Sequence, residues 1–384
     1  MKKIPFLLLV LLVTSLFNAC KKDDDTSEQL EENKKAFLEN YADIVYASYE
    51  DSRTTAVALQ QAIDQFVSNP TEAGFEACKT AWKAARIPYG QTEAYRFYGG
   101  PIDDEDGPEG LLNAWPLDEN FIDYVAGNPD AGLINNPTDY PEITKEVLEA
   151  LNESISETSI FTGYHAIEFL LWGQDLNANG AGQRPYTDYV AGGTAANQDR
   201  RSAYLKVVAA LLVDHLNLLL DEWQPTGAYR KDFLENTDVN VALGRIFTAL
   251  GELSKGELSG ERMFVAVDSG DQENEHSCFS DNTHVDIEMN YKGIENVYFG
   301  VYTRINGSTV SGISLDDLAL QADIAKANTA LAAFTDAKEG INAIPTPFDQ
   351  AILNNEALIL EAVESLSDLS DRITDVGFAL GAEF

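Results

Sequence analysis

The stretch "FLENYADIVYASYEDSRTTAVALQQAIDQF" (37–66) places Leu38, Ala42, Val45, Tyr49, Ser52, Ala56, Leu59, Ile63 and Phe66 at steps of four and three. That alternation puts all of them in one stripe along an α-helix. At 1.5 Å per residue the stripe is about 42 Å long. It can be buried only against helices of like length, so the spacing predicts a helical bundle.

Upstream, Thr26–Gln29 fits a capping box and predicts the helix start. Downstream, Asn69-Pro70 ends the helix, and Thr71 opens a second one with Phe75, Cys78, Trp82 and Ala85 on one face. Pro88 is expected to end that helix. Residues 99–137 are rich in Gly, Pro and Asp and read as a long irregular excursion, ordered by Trp115, Leu117, Phe121, Ile122 and Tyr124. Helices are expected at 140–154 and 160–173, the latter closed by Gly173. Residues 175–196, rich in Gly, Ala and Asn, read as a linker. From Asn197 onward come further helices: one running to Trp223, others at 238–267, 283–303 and 315–339, and a last one from Thr346-Pro347. No strand pair is evident. The fold class is therefore all-α, with two four-helix-bundle-like domains at 35–174 and 197–384 joined by 175–196.

The chain has 384 residues, 45% of them apolar, and a net charge of −37. Such a charge repels nucleic acid and anionic membrane surfaces, and it favours cations or basic partners. Lys2-Lys3, the apolar run "IPFLLLVLL" and "TSLFNAC" read as a signal peptide over 1–19. Ala19-Cys20 resembles a lipobox, which makes Cys20 a lipidated first residue and membrane anchor, with a polar tether over 20–34. The expected location is the cell envelope, as an outer-membrane lipoprotein on the periplasmic or the outer surface. Cys78 and Cys278 give no spacing signal for a disulfide, and their pairing stays open.

Of the four histidines, His215 lies on a plain apolar seam and reads as a core residue. His165 and Glu168, in "GYHAIEFLLWG" (163–173), are three apart and project from one side of a helix. That pair can hold a divalent cation, or it can be a buried hydrogen-bonded pair that orients helices. "HSCFSDNTHVD" (276–286) brings His276 and His284 beside a helix start that Asp281 or Asn282 can cap. H-E-x-x-H is absent, and in the inverse motif H-x-x-E-H Phe169 stands where the second His belongs.

"GYHAIEFLLWG" resembles the G-x-H-x-x-E signature of the imelysin family. "AWKAARIPYGQTEAYRF" (81–97), "DGPEGLLNAWPLD" (106–118) and "GERMFVAVDSGDQENEHSCFSDNTHVD" (260–286) resemble other blocks of that family, so the likeness runs from about residue 35 to the C-terminus. The resemblance implies a two-domain, all-helical envelope protein from a family catalogued among metallopeptidases, with many members tied to iron. The signature falls on Gly163, His165 and Glu168. The later block adds His276, Ser277, Asp281, Asn282 and His284, and Glu93, Arg96 and Glu261 are charged residues inside family-like blocks.

Three functions are expected from this. The first is capture of iron, another divalent metal or an iron-bearing ligand in a pocket between the two domains, linked to iron uptake. His165, Glu168 and His284 are the candidate metal ligands, and Gly163, Glu93, Arg96, His276, Ser277, Asp281 and Asn282 line the pocket. The second is a zinc metallopeptidase with Glu261 as general base. The third is a non-catalytic scaffold that docks on an outer-membrane receptor.

Overall fold

The computed structural model describes residues 7–384, with side chains from Glu28 onward. Lys2-Lys3 and the side chains of the leader and of Cys20 lie outside the described residues. Helix α1 spans Leu7–Ser68 and passes straight through Thr26–Gln29, where a start was expected. Neither Gly nor Pro occurs within it, so nothing in the backbone chemistry interrupts it. Helix α2 spans Glu72–Thr92 and is capped by the Thr71 side chain, which accepts from the Gly74 N–H. It continues past Pro88. Burial of Arg86 and of the run from Pro88 to Thr92 holds it through the lost hydrogen bond.

Helix α3 is the short apolar helix Gly163–Trp172, buried at every position. Helix α4 (Gln198–Trp223) follows the 175–196 segment. It packs on α1 and α3 and so completes the first bundle, where a place in the second had been expected. The reason is length. The helix expected at 140–154 is only Lys145–Leu151, too short to cover the α1 stripe.

The second set begins with α5 (Val239–Glu252), which runs directly into a π-helical stretch, Leu253–Phe264. Helix α6 (Thr283–Tyr298), α7 (Ile324–Ala343), α8 (Phe348–Asn354) and α9 (Glu356–Ala379) complete it, and α9 packs on α7, on α5 and on the π-helical stretch. The region expected as one helix over 283–303 ends instead in a small antiparallel hairpin, Val301–Thr303 with Thr309–Ser311. The expected last helix is divided into α8 and α9 at Asn355.

The two sets meet where α2 crosses α6. Gly90 and Gly293 make this close approach possible. A Cβ on Gly90 would come within 2.8 Å of the Met289 Cβ, and one on Gly293 within 2.4 Å of the Gln91 carbonyl oxygen. The joint is sealed by Asn290, whose side-chain amide donates to the Gly90 carbonyl at 2.8 Å, and by Asn296, which donates to Gln91 Oε1 at 2.8 Å. Cys78 and Cys278 are both buried and free, which settles the open pairing.

Candidate functional site

Gly163 starts α3 with φ of +81°. An added Cβ would lie 2.5 Å from the Leu112 carbonyl oxygen, so this glycine serves backbone packing against the 109–112 turn. Gly163→Ala combines a disfavoured φ with a backbone clash, and it is expected to destabilise the protein by about 2–3 kcal/mol. The check is the urea midpoint, with an unchanged slope.

Two residues along, His165 enters a buried polar chain. Its Nδ1 lies 2.9 Å from Glu168 Oε2, and Glu168 Oε1 accepts from the Ser280 N–H at 3.0 Å and from the Ser280 hydroxyl at 2.6 Å. The other imidazole nitrogen, Nε2, faces the Nε2 of His276 at 3.3 Å. His276 Nδ1 in turn lies 3.0 Å from Asp286 Oδ2, which also accepts from Ser277 Oγ at 2.5 Å. The second Asp286 oxygen takes Arg86 Nε at 3.1 Å and a terminal guanidinium nitrogen at 3.0 Å. Each imidazole thus has one nitrogen tied to a carboxylate and the other turned toward its partner.

The chain continues through Arg86. Its guanidinium lies over the rings of Trp82, Tyr89 and Tyr164 at 5.0–5.7 Å and donates to Asn113 Oδ1 at 2.5 Å. Glu93 is next, held by Arg96 at 2.5 Å and by Arg262 at 2.8 Å. Arg262 also bonds Asn290 on α6 and reaches Glu257 at 2.9 Å. Glu257 and Arg262 are five residues apart. The i→i+5 bonding of the π-helix brings that spacing onto one face, and this local geometry is what completes the ion cluster.

Electrostatics follow from burial and these partners. Burial pushes both imidazoles toward the neutral form, helped at His165 by its neighbour His276 and at His276 by Arg262; His276 sits at about 4. Burial raises the Glu168 carboxyl to about 8 against the bonds from Ser280. For Asp286 burial is outweighed by Arg86 and His276, and the group is held far below the usual carboxylate range. Glu93, likewise buried, is brought down to about 2 by Arg96 and Arg262.

Beside the pair lies a cavity of about 340 Å³. Its walls include His276, Trp115, Arg96, Arg262, Glu109, Glu257 and Glu261. The Trp115 ring is 5.1 Å from that of His165. His165, Glu168, His276, Ser277, Glu93 and Arg96 therefore belong to one network, and Glu261 stands on the wall of the adjoining cavity. His284 does not join them. On α6 it is two residues from Asp286 and so faces the opposite way, lining a separate cavity with Ile287, Ile341 and Phe348. Asp281 is buried, with one carboxylate oxygen unpartnered, and it makes no bond to the histidine pair. Asn282 is the N-terminal cap position of α6 but makes no side-chain capping bond. Among the described residues, no three His, Cys, Asp or Glu side chains close on one point as metal ligands. His215 is buried, with Nε2 2.9 Å from Glu149 Oε1 and Nδ1 without a partner.

Arg86, Asn113, Ser280, Asp286 and Arg262 were not anticipated as site residues. One signal was present. The α2 stripe Phe75, Cys78, Trp82 runs on into Arg86, Tyr89 and Glu93, so two charges occupy a face that the pattern buries.

Comparisons with known proteins agree with this architecture. The family model described as imelysin matches residues 45–373. Iron-regulated protein A of Synechococcus elongatus is 26% identical over 373 residues, covering 94% of this chain and 89% of that protein. A crystal structure described as a candidate iron-regulated protein A precursor from Parabacteroides distasonis superposes with a TM-score of 0.71 at 20% identity, over 91% of this chain and 95% of the other. An imelysin-like protein from Psychrobacter arcticum gives 0.64 at 16% identity, over 92% and 96%. At those identities the two structures speak for the fold alone.

Proposed function

Because the chain belongs to the imelysin family, we propose that it is an iron-binding protein whose cargo ion is held between the Nε2 atoms of His165 and His276. The observation that carries this reading is the arrangement of the four imidazole nitrogens. Both Nδ1 atoms are committed to carboxylates, and both Nε2 atoms point at one another across 3.3 Å. Imidazoles that ligate metals are oriented in this way, by a carboxylate behind the ligating ring. Two nitrogens bound to one tetrahedral first-row cation stand roughly 3.3 Å apart, from metal–nitrogen bonds of about 2.0–2.1 Å. Without a cation, one proton shared between the two Nε2 atoms relieves their repulsion, and the ion takes that proton's place. Glu168 and Asp286 are then orienting groups behind the ligands.

Two imidazoles leave most of the coordination sphere to groups from the adjoining cavity. That suits an ion that is captured and released. A zinc peptidase requires about three protein ligands. The described residues gather two, and His284 lines a different cavity, so the donor set favours binding over hydrolysis. The name of the Synechococcus relative supports iron as the ion. In the same reading the leader and Cys20 tether the protein to the cell envelope by lipid, where it serves iron uptake, with a receptor in the outer membrane as partner.

The test is anaerobic calorimetry with ferrous ion on the full chain and on His276→Asn, whose side-chain amide can still donate to Asp286. The wild type is expected to bind one ion, and the variant to lose at least a hundredfold in affinity. Equal affinity in both, or no binding to either, would overturn the assignment.

A further inference from the structure

Residues 175–180 read Asp-Leu-Asn-Ala-Asn-Gly. This is the D-x-[DN]-x-[DN]-G half of a calcium-binding loop, in which Asp and Asn oxygens at alternate positions converge and the glycine permits the turn. The glutamate that closes such loops at position twelve is missing, because Tyr186 stands there. The fold supplies acidic groups from elsewhere. Gln350 Nε2 donates both to the Ala178 carbonyl at 2.6 Å and to Asp349 Oδ2 at 2.7 Å, which places Asp349 against the loop. Gly182 N–H donates to the Phe279 carbonyl at 2.9 Å, which brings in Asp281 two residues further on.

These carboxylates are left in an uncomfortable state. Asp349 is 1% exposed and Asp281 9%, yet one oxygen of each has no hydrogen-bond partner. Glu275, 1% exposed, also keeps a bare buried oxygen. Burial raises Asp281 to about 7, reinforced by Asp349 and Asp175 and opposed by Lys83. Buried acceptors of one sign without donors are costly, and a bound cation removes the cost.

We propose that loop 175–180 together with Asp281 and Asp349 forms a site for a hard, oxygen-liganded divalent cation, Ca²⁺. No three acidic side chains close on one point here, so Asn177 and backbone carbonyls contribute to the six to eight oxygens such an ion takes, and binding draws the loop inward. The site does not depend on the iron reading, but it adjoins the histidine pair. Asp281 follows Ser280, which holds Glu168, and the same segment carries His276. A cation at Asp281 clamps that segment against the end of α3.

The experiment uses full chain stripped with EDTA. Thermal unfolding is followed with CaCl₂ or MgCl₂ at about 1 mM, within the range of extracellular calcium modules. Terbium luminescence, sensitised through Trp172 three residues before the loop, reports occupancy. The expected result is a rise in Tm of about 3 °C or more with Ca²⁺ and a terbium signal that Ca²⁺ displaces and Mg²⁺ does not. Both responses should be lost in Asp175→Asn and in Asn179→Ala, which alter loop positions that are not buried, and in Asp349→Asn. A wild type that responds to neither ion overturns the proposal, and so does a Ca²⁺ response retained by all three variants.

Discussion

Glu168→Gln is expected to fold normally and to bind ferrous ion about ten- to a hundredfold more weakly than the wild type, the range found when an orienting group behind a metal ligand is altered. The glutamine oxygen can accept both Ser280 bonds that Glu168 Oε1 accepts now. Its amide nitrogen then faces His165 Nδ1 and can only donate. A donor at that position holds the His165 proton on Nε2, where it points at His276 and occupies the place proposed for the ion. The Glu168 carboxyl, raised to about 8, can pass its proton to Nδ1 as Nε2 gives up its own, and the amide cannot; volume and hydrogen bonding are preserved, so the loss of affinity cannot be attributed to unfolding. A calorimetric titration of both proteins, with circular dichroism to confirm the fold, reads the result. The same variant has a stability signature. Burial raises Glu168 to about 8 against an unfolded value of about 4.3. Between those values the folded protein keeps a proton that the unfolded chain has released, so wild-type stability falls as pH rises, by up to about 1.4 kcal/mol per unit. Asp286 and Arg86 also face this group, with opposite effects, and both remain in the variant. Urea midpoints at pH 5, 6.5 and 8 should therefore decline less steeply in Glu168→Gln.

The helical class was legible because the α1 stripe from Leu38 to Phe66 repeats without a fault, and a long apolar stripe has few alternatives. Bundle membership was not legible. Period 3.6 shows that α4 has a buried face but not which bundle it covers, and only the seven-residue length of Lys145–Leu151 shows that the first bundle needs α4. The break at Pro88 was misjudged for a related reason: the local cost of proline is real, but burial around Arg86 and Tyr89 outweighs it. At the site, i and i+3 geometry correctly paired His165 with Glu168. It could not say that Glu168 stands behind the imidazole, which depends on Ser280 from over a hundred residues away. His284 was drawn in because it lies in the same family-like block as His276. A helix starting at Thr283 separates it from Asp286 by a little over half a turn, and it was Asp286 that faced inward.

Arg86→Ala is expected to destabilise the protein by about 3–5 kcal/mol, the range for removing one partner of a buried ion pair. Arg86 and Asp286 are both fully enclosed, and they link α2 to α6 at the crossing where the two helix sets meet. Without the guanidinium, Asp286 keeps only Ser277 and His276 as donors, which is too little for a buried anion. Most of the penalty is that stranded charge. The double variant Arg86→Met with Asp286→Asn is therefore expected to recover most of the loss, and a double-mutant cycle on urea midpoints measures the coupling. The acid limb gives an independent reading. Burial pushes Asp286 up, but Arg86 and His276 bring it far below the normal range, so its contribution is complete above about pH 4 and is lost as pH falls. Arg86→Ala removes the largest of the lowering influences, so its stability should depend less on pH below 4 than that of the wild type. A variant that lost stability while keeping the full acid slope would mean that Arg86 acts by packing over Trp82, Tyr89 and Tyr164 and not by holding the Asp286 charge that orients His276.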